Sequence, residues 1–354
     1  MNGLSLFSSA GIGETYFKDV GINIVVANEL IDKRANLYKS ISPETDVVCG
    51  DITNKDVFNS VIYKAKERNV KFILASPPCQ GMSVAGKNRH PDTMITDERN
   101  YLITYVVKTI KELTPRYVLI ENVPALFKLV LNYKSELRTV LEILKYEFSD
   151  EYEIDSDVVD SADYGVPQTR LRAIIKMNKK GYPWNWPEKV EKKTTVREAI
   201  GHLPSLESGE KSDIKWHFAR KHDENNVLWM KHTPTGCSAF RNEKYYPQKK
   251  DGTRIKGYES SYRRIKWDEP SPTITMRNDC IASQRNVHPG RLLPDGTYSD
   301  ARVLTPLELM ILDSLPSDWN IPDDTPEILI RQCIGESIPP LMLKAIVSGI
   351  AEDL

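Results

Sequence analysis

Short apolar runs alternate with helical patterns along the first half of the chain. The runs are rich in β-branched side chains, which is typical of buried strands. The segments between them repeat apolar residues every three or four positions, which indicates amphipathic helices. This alternation predicts an α/β fold with a doubly wound parallel sheet that helices cover on both faces. We expect strands at residues 4–8, 22–27, 70–75, 116–120 and 171–177, and helices at residues 54–68, 101–113 and 135–148.

The pattern changes after about residue 178. From there to about residue 300, prolines, glycines, aromatic residues and charges leave no long amphipathic period, which predicts a smaller, irregular, β-rich domain of short strands and ordered loops. Helical periodicity returns at residues 306–313 and 340–350, and each of these segments is preceded by a residue suited to a helix start. We therefore expect a first domain at residues 1–177, a second at 178–300 and a C-terminal segment at 301–354.

Composition limits the class of protein. The chain has 354 residues, of which 40% are hydrophobic and 27% charged, so it can form a sizeable core. Its five cysteines are scattered without a CxxC pair, and its six histidines lack a ligand-like spacing, so we predict no disulfide framework and no metal site. There is no signal-peptide pattern and no run of eighteen apolar residues, so we expect a cytoplasmic protein with no membrane association.

The net charge of −1 at first argues against an anionic partner such as nucleic acid. The average conceals an uneven distribution, however. Residues 178–300 contain 23 Lys and Arg against 16 Asp and Glu, whereas the remainder contains 25 against 33. An acidic body therefore carries a basic insert.

A glycine-containing turn, residues 7–13, follows the first predicted strand. Glycines let backbone N–H groups approach a ligand, and a following helix N-terminus favours negative charge. Glu29 comes just after the second predicted strand, where an acid typically binds ribose hydroxyls in nucleotide-binding sheets. A second acid, Asp51, follows Gly50 further along the chain. A tight turn with surface acids explains the same residues without a ligand, so these features alone do not decide the function.

Cys79 follows two prolines at the carboxyl end of another predicted strand, and Gly81 permits a sharp turn after it. A rigid backbone at a strand end suits a nucleophile, although most single cysteines are small buried hydrophobic residues. Glu121 directly follows four apolar strand residues, where desolvation would favour a protonated carboxyl able to donate; capping of the next helix is the alternative. Arg170 and Arg172 fall on one face of a strand, which requires a phosphate or a carboxylate nearby.

These segments occur in the order found in the C5-cytosine-specific DNA methyltransferases of the bacterial modification type, which the chain closely resembles from residue 4 to about 346. The motifs that carry the resemblance are Phe7 to Gly13, Pro77-Pro78-Cys79-Gln80, Glu121-Asn122-Val123, Gln168-x-Arg170-x-Arg172, Arg302 to Glu308, and Gly335 to Pro340.

The resemblance implies a Rossmann-like methyltransferase sheet and transfer of a methyl group from S-adenosylmethionine to cytosine C5 in a specific duplex sequence. Cys79 would add to C6 of a base flipped out of the duplex, Glu121 would donate to N3, and Arg172 would contact the base near O2. It also implies that the last helix packs back onto the first domain. The cofactor residues it implies are Phe7, Ser9, Gly11, Glu29, Asp51, Ile52, Pro78, Leu102, Ser337 and Ile338.

Two positions depart from the family pattern. Ser9 replaces the usual first glycine of the cofactor turn, and Glu336 replaces a usual Asn. Because serine tolerates positive φ poorly, we expect Ser9 to alter the geometry of the turn. Neither departure involves Cys79 or Glu121, so we predict an active enzyme.

The basic insert corresponds to the family's target-recognition region, and its charge is the pattern expected for phosphate contacts. Arg277 and Asn278 would reach base edges, since Arg pairs with guanine and Asn with adenine. The DNA-binding residues predicted in this way are Gln80, Arg170, Arg241, Arg254, Arg263, Arg264, Arg277 and Asn278.

Two other enzyme functions remain open. Methylation of RNA cytosine, as one branch of the family does with transfer RNA, would use the same chemistry. A dinucleotide oxidoreductase would explain the glycine turn and Glu29, but not the Pro-Pro-Cys motif or the basic insert. The expected partner is double-stranded DNA. A second expected partner is a restriction endonuclease that recognises the same target site, with no stable complex between the two enzymes required. The simplest oligomeric state is a monomer.

Overall fold

The computed structural model describes residues 1–78 and 97–350, so Cys79 and Gln80 lie outside the described residues. The chain divides into two compact units. The first contains Met1–Asp160, Leu171–Glu188 and the residues from Leu343 onward, and the second contains Ser161–Arg170 and Lys189–Met342. The predicted domain boundaries at 177 and 300 stay predictions.

Strands form the centre of the first unit, and their bounds are β1 (Asn2–Leu6), β2 (Asn23–Glu29), β3 (Asp46–Cys49), β4 (Phe72–Ala75), β5 (Tyr117–Asn122), β6 (Val130–Tyr133), β7 (Glu136–Thr139), β8 (Tyr152–Asp160) and β9 (Leu171–Lys179). Seven of them make one sheet in the order β3-β2-β1-β4-β5-β9-β8, and β6 pairs with β7 separately. The mixed α/β fold with a Rossmann-like sheet is therefore confirmed.

One strand departs from the predicted parallel sheet. β9 is antiparallel to both of its neighbours, β5 and β8, while the other six strands share one direction. The reason is the length of the connection between β8 and β9. Only residues 161–170 separate these strands, and a parallel pairing requires a crossover of about a dozen or more residues.

Helices surround the sheet and continue into the second unit, with bounds α1 (Asp32–Ile41), α2 (Lys55–Glu67), α3 (Ile103–Leu113), α4 (Val140–Phe148), α5 (Val196–Ile200), α6 (Glu224–Lys231), α7 (Pro306–Leu312), α8 (Glu327–Glu336) and α9 (Pro340–Val347). The helix predicted at residues 135–148 begins only at Val140, because Thr139 and Glu142 form a capping box and the preceding residues pair as β7. The sequence pattern missed α1, which buries only three side chains.

The core of the first unit lies between the sheet and its helices. Leu4, Ile73 and Val118, from three adjacent strands, are completely buried, and Val106 of α3 packs in the same cluster. Because β1, β2, β4 and β5 are parallel, the residues that follow them meet at the carboxyl end of the sheet. This end of the sheet holds the turn after β1 as well as Glu29, Ser76 and Asn122.

The second unit is less regular than predicted. Its described residues contain helices, loops and isolated β-bridges, but no strand, so the expectation of a β-rich region is wrong there. Buried side chains replace strand pairing as partners of the backbone. The guanidinium of the completely buried Arg264 is the main example, because it donates to the carbonyl of Met230 near the end of α6 and to the carbonyls of His288 and Ser299 in two loops.

Candidate active site

The turn after β1 uses left-handed backbone at three positions. Phe7, Ser9 and Gly11 have φ values of 59°, 48° and 73°. Ser9 therefore adopts the conformation that a glycine would adopt without strain, at a cost of about 1 kcal/mol. The turn is held from β2, since the Ser9 N–H donates to Glu29 Oε2 at 2.8 Å and the Ser8 N–H donates to the Asn28 carbonyl at 3.1 Å.

Glu29 is only 5% exposed, and both of its carboxylate oxygens accept backbone hydrogen bonds. Oε2 accepts from Ser9, and Oε1 accepts from the Ile31 N–H at 2.9 Å, with Arg34 Nη1 4.0 Å away. These contacts fix the carboxylate and leave lone pairs for a further donor. The next residue, Leu30, is 62% exposed, an apolar surface beside the carboxylate that the sequence pattern did not single out.

Gly11 lies against a buried tyrosine. A Cβ at this position would come within 2.7 Å of the Tyr38 ring, so glycine is required here for packing as well as for its φ. The Tyr38 hydroxyl donates to Glu14 Oε1 at 2.7 Å, and burial raises the pKa of the Glu14 carboxyl. Sequence reasoning missed Glu14, which directly follows the predicted turn.

Asp51 and Ile52 follow β3 and differ in exposure. The Asp51 carboxylate is exposed and accepts from the Thr53 N–H at 2.8 Å, whereas Ile52 is 3% exposed and belongs to the core. The Asn28 side chain ties this segment to β2 by donating to the Gly50 carbonyl at 3.0 Å. Leu102 is half-buried at the start of α3, and it packs against the same core as Phe7.

The segment that leads toward Cys79 is anchored to the ends of two other strands. The Ser76 hydroxyl donates to the Phe7 carbonyl at 3.2 Å. Asn122, only 3% exposed at the end of β5, donates through Nδ2 to the Pro77 carbonyl at 2.8 Å, while its Oδ1 accepts from the Val123 N–H. This amide fixes the backbone immediately before Pro78, which is half-buried.

Glu121 and Arg172 form an ion pair between β5 and β9. Arg172 Nε lies 2.6 Å from Glu121 Oε1, and the side chains are 12% and 7% exposed. Desolvation at the end of a strand favours a neutral carboxyl. The adjacent guanidinium opposes that effect, because an opposite charge in contact favours the ionised form. Of the two anions that the sequence allowed for this arginine, the structure has the carboxylate.

Arg170 is not a partner in this pair. It precedes β9, is 2% exposed, and donates to the Ile274 carbonyl at 2.6 Å and the Gly335 carbonyl at 3.1 Å. The predicted phosphate contact of Arg170 is therefore wrong, since its guanidinium is buried against backbone carbonyls. Gly335 belongs to the same contact region, where a Cβ would lie 2.4 Å from the Thr275 carbonyl oxygen.

Ser337 follows α8 and is part of a buried polar chain in the second unit. Its hydroxyl donates to Asp313 Oδ2 at 2.5 Å, and Gln168 Nε2 donates to Asp313 Oδ1 at 2.9 Å. Asp313 and Gln168 are completely buried, and Ile338 is 7% exposed. The predicted cofactor residue Ser337 thus has its hydroxyl committed to a structural contact.

Two predicted DNA contacts are buried in the second unit, so those predictions are wrong. Asn278 is 1% exposed, and its amide donates to the carbonyls of Thr275 at 2.7 Å and Arg331 at 3.1 Å. Arg264 is completely buried, and burial lowers its pKa to about 10. Both side chains satisfy backbone carbonyls that no strand pairing satisfies. The carbonyls that accept from Arg264 belong to Met230, His288, Ser299 and Asp300.

The other predicted DNA-binding arginines lie closer to solvent. Arg241 is 63% exposed and pairs with Glu259 at 2.8 Å, and Arg263 is 3.7 Å from the same carboxylate. Arg254 and Arg277 are exposed. One carboxylate thus partly neutralises two of the four arginines.

The division into units also changes the charge picture. The second unit contains 24 Lys and Arg against 23 Asp and Glu, because residues 301–342 add two basic and seven acidic side chains to the insert. The excess of positive charge is therefore confined to the insert and does not extend over the unit.

In the part of the chain that the structure describes, no group of three or more His, Cys, Asp or Glu side chains is arranged to hold a metal ion. None of the helices within residues 1–78 and 97–350 is long and apolar enough to cross a membrane.

A family model described as C-5 cytosine-specific DNA methylase matches residues 1–352. The chain belongs to the C-5 cytosine-specific DNA methylase family. The predicted enzyme class, DNA (cytosine-5-)-methyltransferase, is therefore confirmed.

The methylase has close relatives over its whole length. It is 60% identical over 351 residues to the Type II methyltransferase M1.HgaI of Avibacterium volantium, covering 99% of this chain and 98% of that protein. It is 30% identical over 348 residues to the Type II methyltransferase M1.HphI of Haemophilus parahaemolyticus, covering 98% and 86%.

Solved structures support the fold of the methylase. An Escherichia coli prophage protein described as a DNA modification methyltransferase superposes with a TM-score of 0.72 at 20% identity, covering 99% of this chain and 98% of that one. A methyltransferase of Entamoeba histolytica superposes with a TM-score of 0.65 at 15% identity, covering 99% and 97%. At these identities the likeness concerns the fold alone.

Proposed function

We propose that this methylase transfers a methyl group from S-adenosylmethionine to C5 of a cytosine flipped out of a specific duplex DNA sequence. The observation that carries the proposal is the pairing of Glu121 with Arg172 at the end of β5, beside the Asn122 contact that holds the backbone before Pro78. A nearly buried ion pair stabilises a fold little, because both charges lose their hydration. Its place beside the anchored Pro77 backbone suits a site that binds a polar base.

The residues at the end of β1 and β2 fit a nucleoside cofactor. Glu29 is fixed by two backbone donors and retains lone pairs for ribose hydroxyls. Phe7 and Leu30 supply apolar surface for a base, and Asp51 an exposed carboxylate. S-adenosylmethionine would supply an electrophilic methyl group when bound. The remaining assigned cofactor residues are Ser9, Gly11, Ile52, Pro78, Leu102, Ser337 and Ile338, whose roles stay predictions.

The catalytic sequence begins with nucleophilic addition. Addition of the Cys79 thiolate to cytosine C6 would move the C5–C6 double-bond electrons toward C5. C5 would then take the methyl group from the sulfonium, whose sulfur keeps the bonding pair and leaves as S-adenosylhomocysteine. Loss of the C5 proton to a base and expulsion of the Cys79 thiolate then restore the aromatic ring. Glu121 can accept from the cytosine amino group while ionised and donate to N3 once protonated, and Arg172 holds its carboxyl in place.

The proposal is tested by incubating the purified chain with duplex DNA and S-adenosylmethionine and then sequencing the DNA after bisulfite treatment. Protection of one cytosine in a recurring sequence is expected. A duplex with 5-fluorocytosine at that position should trap a covalent adduct on Cys79, because fluorine prevents the final elimination. Methylation of transfer RNA in place of DNA in a competition assay would support the RNA alternative and refute the DNA substrate.

The biological setting follows from the relatives. Both curated relatives are named Type II methyltransferases. We infer that this enzyme acts as a monomer in the cytoplasm of a bacterium, in a restriction-modification system, and protects a DNA sequence from an endonuclease without forming a stable complex with it. Loss of protection from cleavage on deleting the gene would support this role, and a stable co-purifying endonuclease would contradict the independent action.

A further inference from the structure

A short hairpin lies within the basic insert in the second unit. Residues 247–255, here named the basic hairpin, pair antiparallel: the Lys249 N–H donates to the Thr253 carbonyl at 2.8 Å, and the Ile255 N–H donates to the Pro247 carbonyl at 2.8 Å. The sequence pattern predicted short strands and ordered loops in this region without locating a hairpin.

The tip of the basic hairpin is a defined four-residue turn at 249–252. The Gly252 N–H donates to the Lys249 carbonyl at 3.0 Å, and Gly252 has a φ of 84°. Asp251 Oδ1 accepts from the Thr253 N–H at 2.9 Å, so the carboxylate of Asp251 stabilises the backbone of the turn. The lysines at the tip are thus carried by an ordered element.

Arg254 anchors the base of the basic hairpin. It lies opposite Gln248 in an antiparallel bridge, and its two Nη atoms donate to the carbonyls of Phe240 at 3.0 Å and Asn242 at 2.8 Å. Its guanidinium carbon also lies 3.8 Å from the centroid of the Tyr246 ring. The arginine predicted as a DNA contact therefore has internal partners that orient the hairpin.

Lys249 and Lys250 lie next to each other on this ordered turn. Both are exposed, and neither forms an ion pair with any described residue. By contrast, the adjacent pair Lys192 and Lys193 in the same unit is neutralised, with Glu198 at 2.5 Å and Asp163 at 2.9 Å. The tip of the basic hairpin therefore presents two exposed lysines that have no ion-pair partner among the described residues.

We propose that Lys249 and Lys250 bind backbone phosphates of duplex DNA and set the affinity of the enzyme for DNA without contributing to its choice of sequence. This inference rests on the proposed function for the identity of the polyanion. A lysine ammonium group binds a phosphate as a point charge. The major groove of duplex DNA is wide enough to admit a two-stranded ribbon, and backbone phosphates line both edges of that groove. Contacts with phosphate position a protein on DNA and carry no base information.

Fluorescence anisotropy with a labelled duplex of arbitrary sequence tests the inference in the full-length protein. The double variant K249A/K250A should lower the slope of log affinity against log salt by about 2, measured between about 50 and 200 mM salt. The charge-conserving K249R/K250R should retain the wild-type slope. The matched control K192A/K193A removes the same charge from the same unit and should leave the slope unchanged, and circular dichroism checks that each variant is folded.

Three results would overturn the inference. An unchanged slope in K249A/K250A would mean that the tip does not contact phosphates, and an equal loss in K192A/K193A would mean that net charge alone matters. A loss confined to one target sequence would mean that the lysines contact bases. Methyl transfer is measured separately: a wild-type protein that binds DNA with the expected slope but methylates nothing refutes the proposed function and leaves the hairpin contact intact.

Discussion

Arg172 Nε contacts Glu121 Oε1 at 2.6 Å across two antiparallel strands, and both side chains are nearly buried. A pair of this kind is a single electrostatic unit, since removing one partner leaves the other charge buried without compensation. In the proposed function, the Glu121 carboxyl would face the bound base while the Arg172 guanidinium holds its orientation.

We expect the Glu121–Arg172 pair to behave as a unit in catalysis. Glu121→Gln and Arg172→Gln should each lower kcat for methyl transfer by about 100-fold or more, and the double variant should be no worse than the weaker single variant. Single-turnover kinetics with duplex DNA measures the rate of methyl transfer for each of the three variants. Arg197→Gln is the control, because Arg197 forms an exposed ion pair with Asp268 and should have normal activity. Additive losses would show that the two residues act independently.

The contact between Asn122 and Pro77 predicts a loss of rate beyond a loss of stability. Asn122→Ala leaves the Pro77 carbonyl without its donor and should reduce the free energy of unfolding by about 1–3 kcal/mol. Because the backbone before Cys79 would then shift, trapping by 5-fluorocytosine should slow by about 100-fold. Mass spectrometry of the adduct against time measures the rate. Trapping at the wild-type rate in a destabilised variant would limit Asn122 to a structural role.

Ser9 provides a prediction about backbone strain. Replacement by glycine relieves the positive φ and should stabilise the protein by about 0.5–1 kcal/mol in urea unfolding. The N–H that holds Glu29 is kept, so the dissociation constant for S-adenosylmethionine should stay within about threefold of wild type. Asn69→Gly, at a φ of 49° after α2, is a matched control that should also leave cofactor binding unchanged. A large loss of cofactor affinity in Ser9→Gly alone would assign a contact to the serine hydroxyl.

Acid should destabilise the second unit in two stages. Burial lowers the pKa of His288 to about 3, so this histidine stays neutral when folded; once unfolded it takes up a proton below its ordinary value of 6.5, and stability falls as the pH drops from there. The pKa of Glu308 is lowered to about 2 against burial by its contact with Arg302, so its contribution is present above about pH 4.5 and is lost as the pH falls toward 2. Each group adds up to about 1.4 kcal/mol per pH unit.

Urea unfolding at a series of pH values checks this behaviour. His288→Asn should flatten the fall in the free energy of unfolding between about pH 6 and pH 4. His232→Asn, which does not touch the group formed by His288, Arg302 and Glu308, should leave that fall unchanged. A decline of the same steepness in both variants would assign the pH dependence to groups other than His288.

The sequence by itself determined the class of fold and placed the candidate site residues at strand ends. Hydrophobic runs mark strands because burial of both faces requires continuous apolar residues, so Glu29 and Glu121 could be placed at strand ends from the pattern alone. Parallel strands bring such ends together, which is why the predicted carboxyl-end cluster agrees with the sheet. The order of the motifs then identified the family.

Only the tertiary structure decided which charged residues are available. Arg170 and Arg172 are two residues apart, yet one binds carbonyls up to 165 positions away and the other pairs with the carboxylate on β5. Arg264 and Asn278 are in the most basic stretch of the chain, but both are buried. Loops have no hydrophobic period, and the partner of an arginine fork is set by segments distant in sequence, so the pattern could not separate these residues from the exposed Lys249 and Lys250.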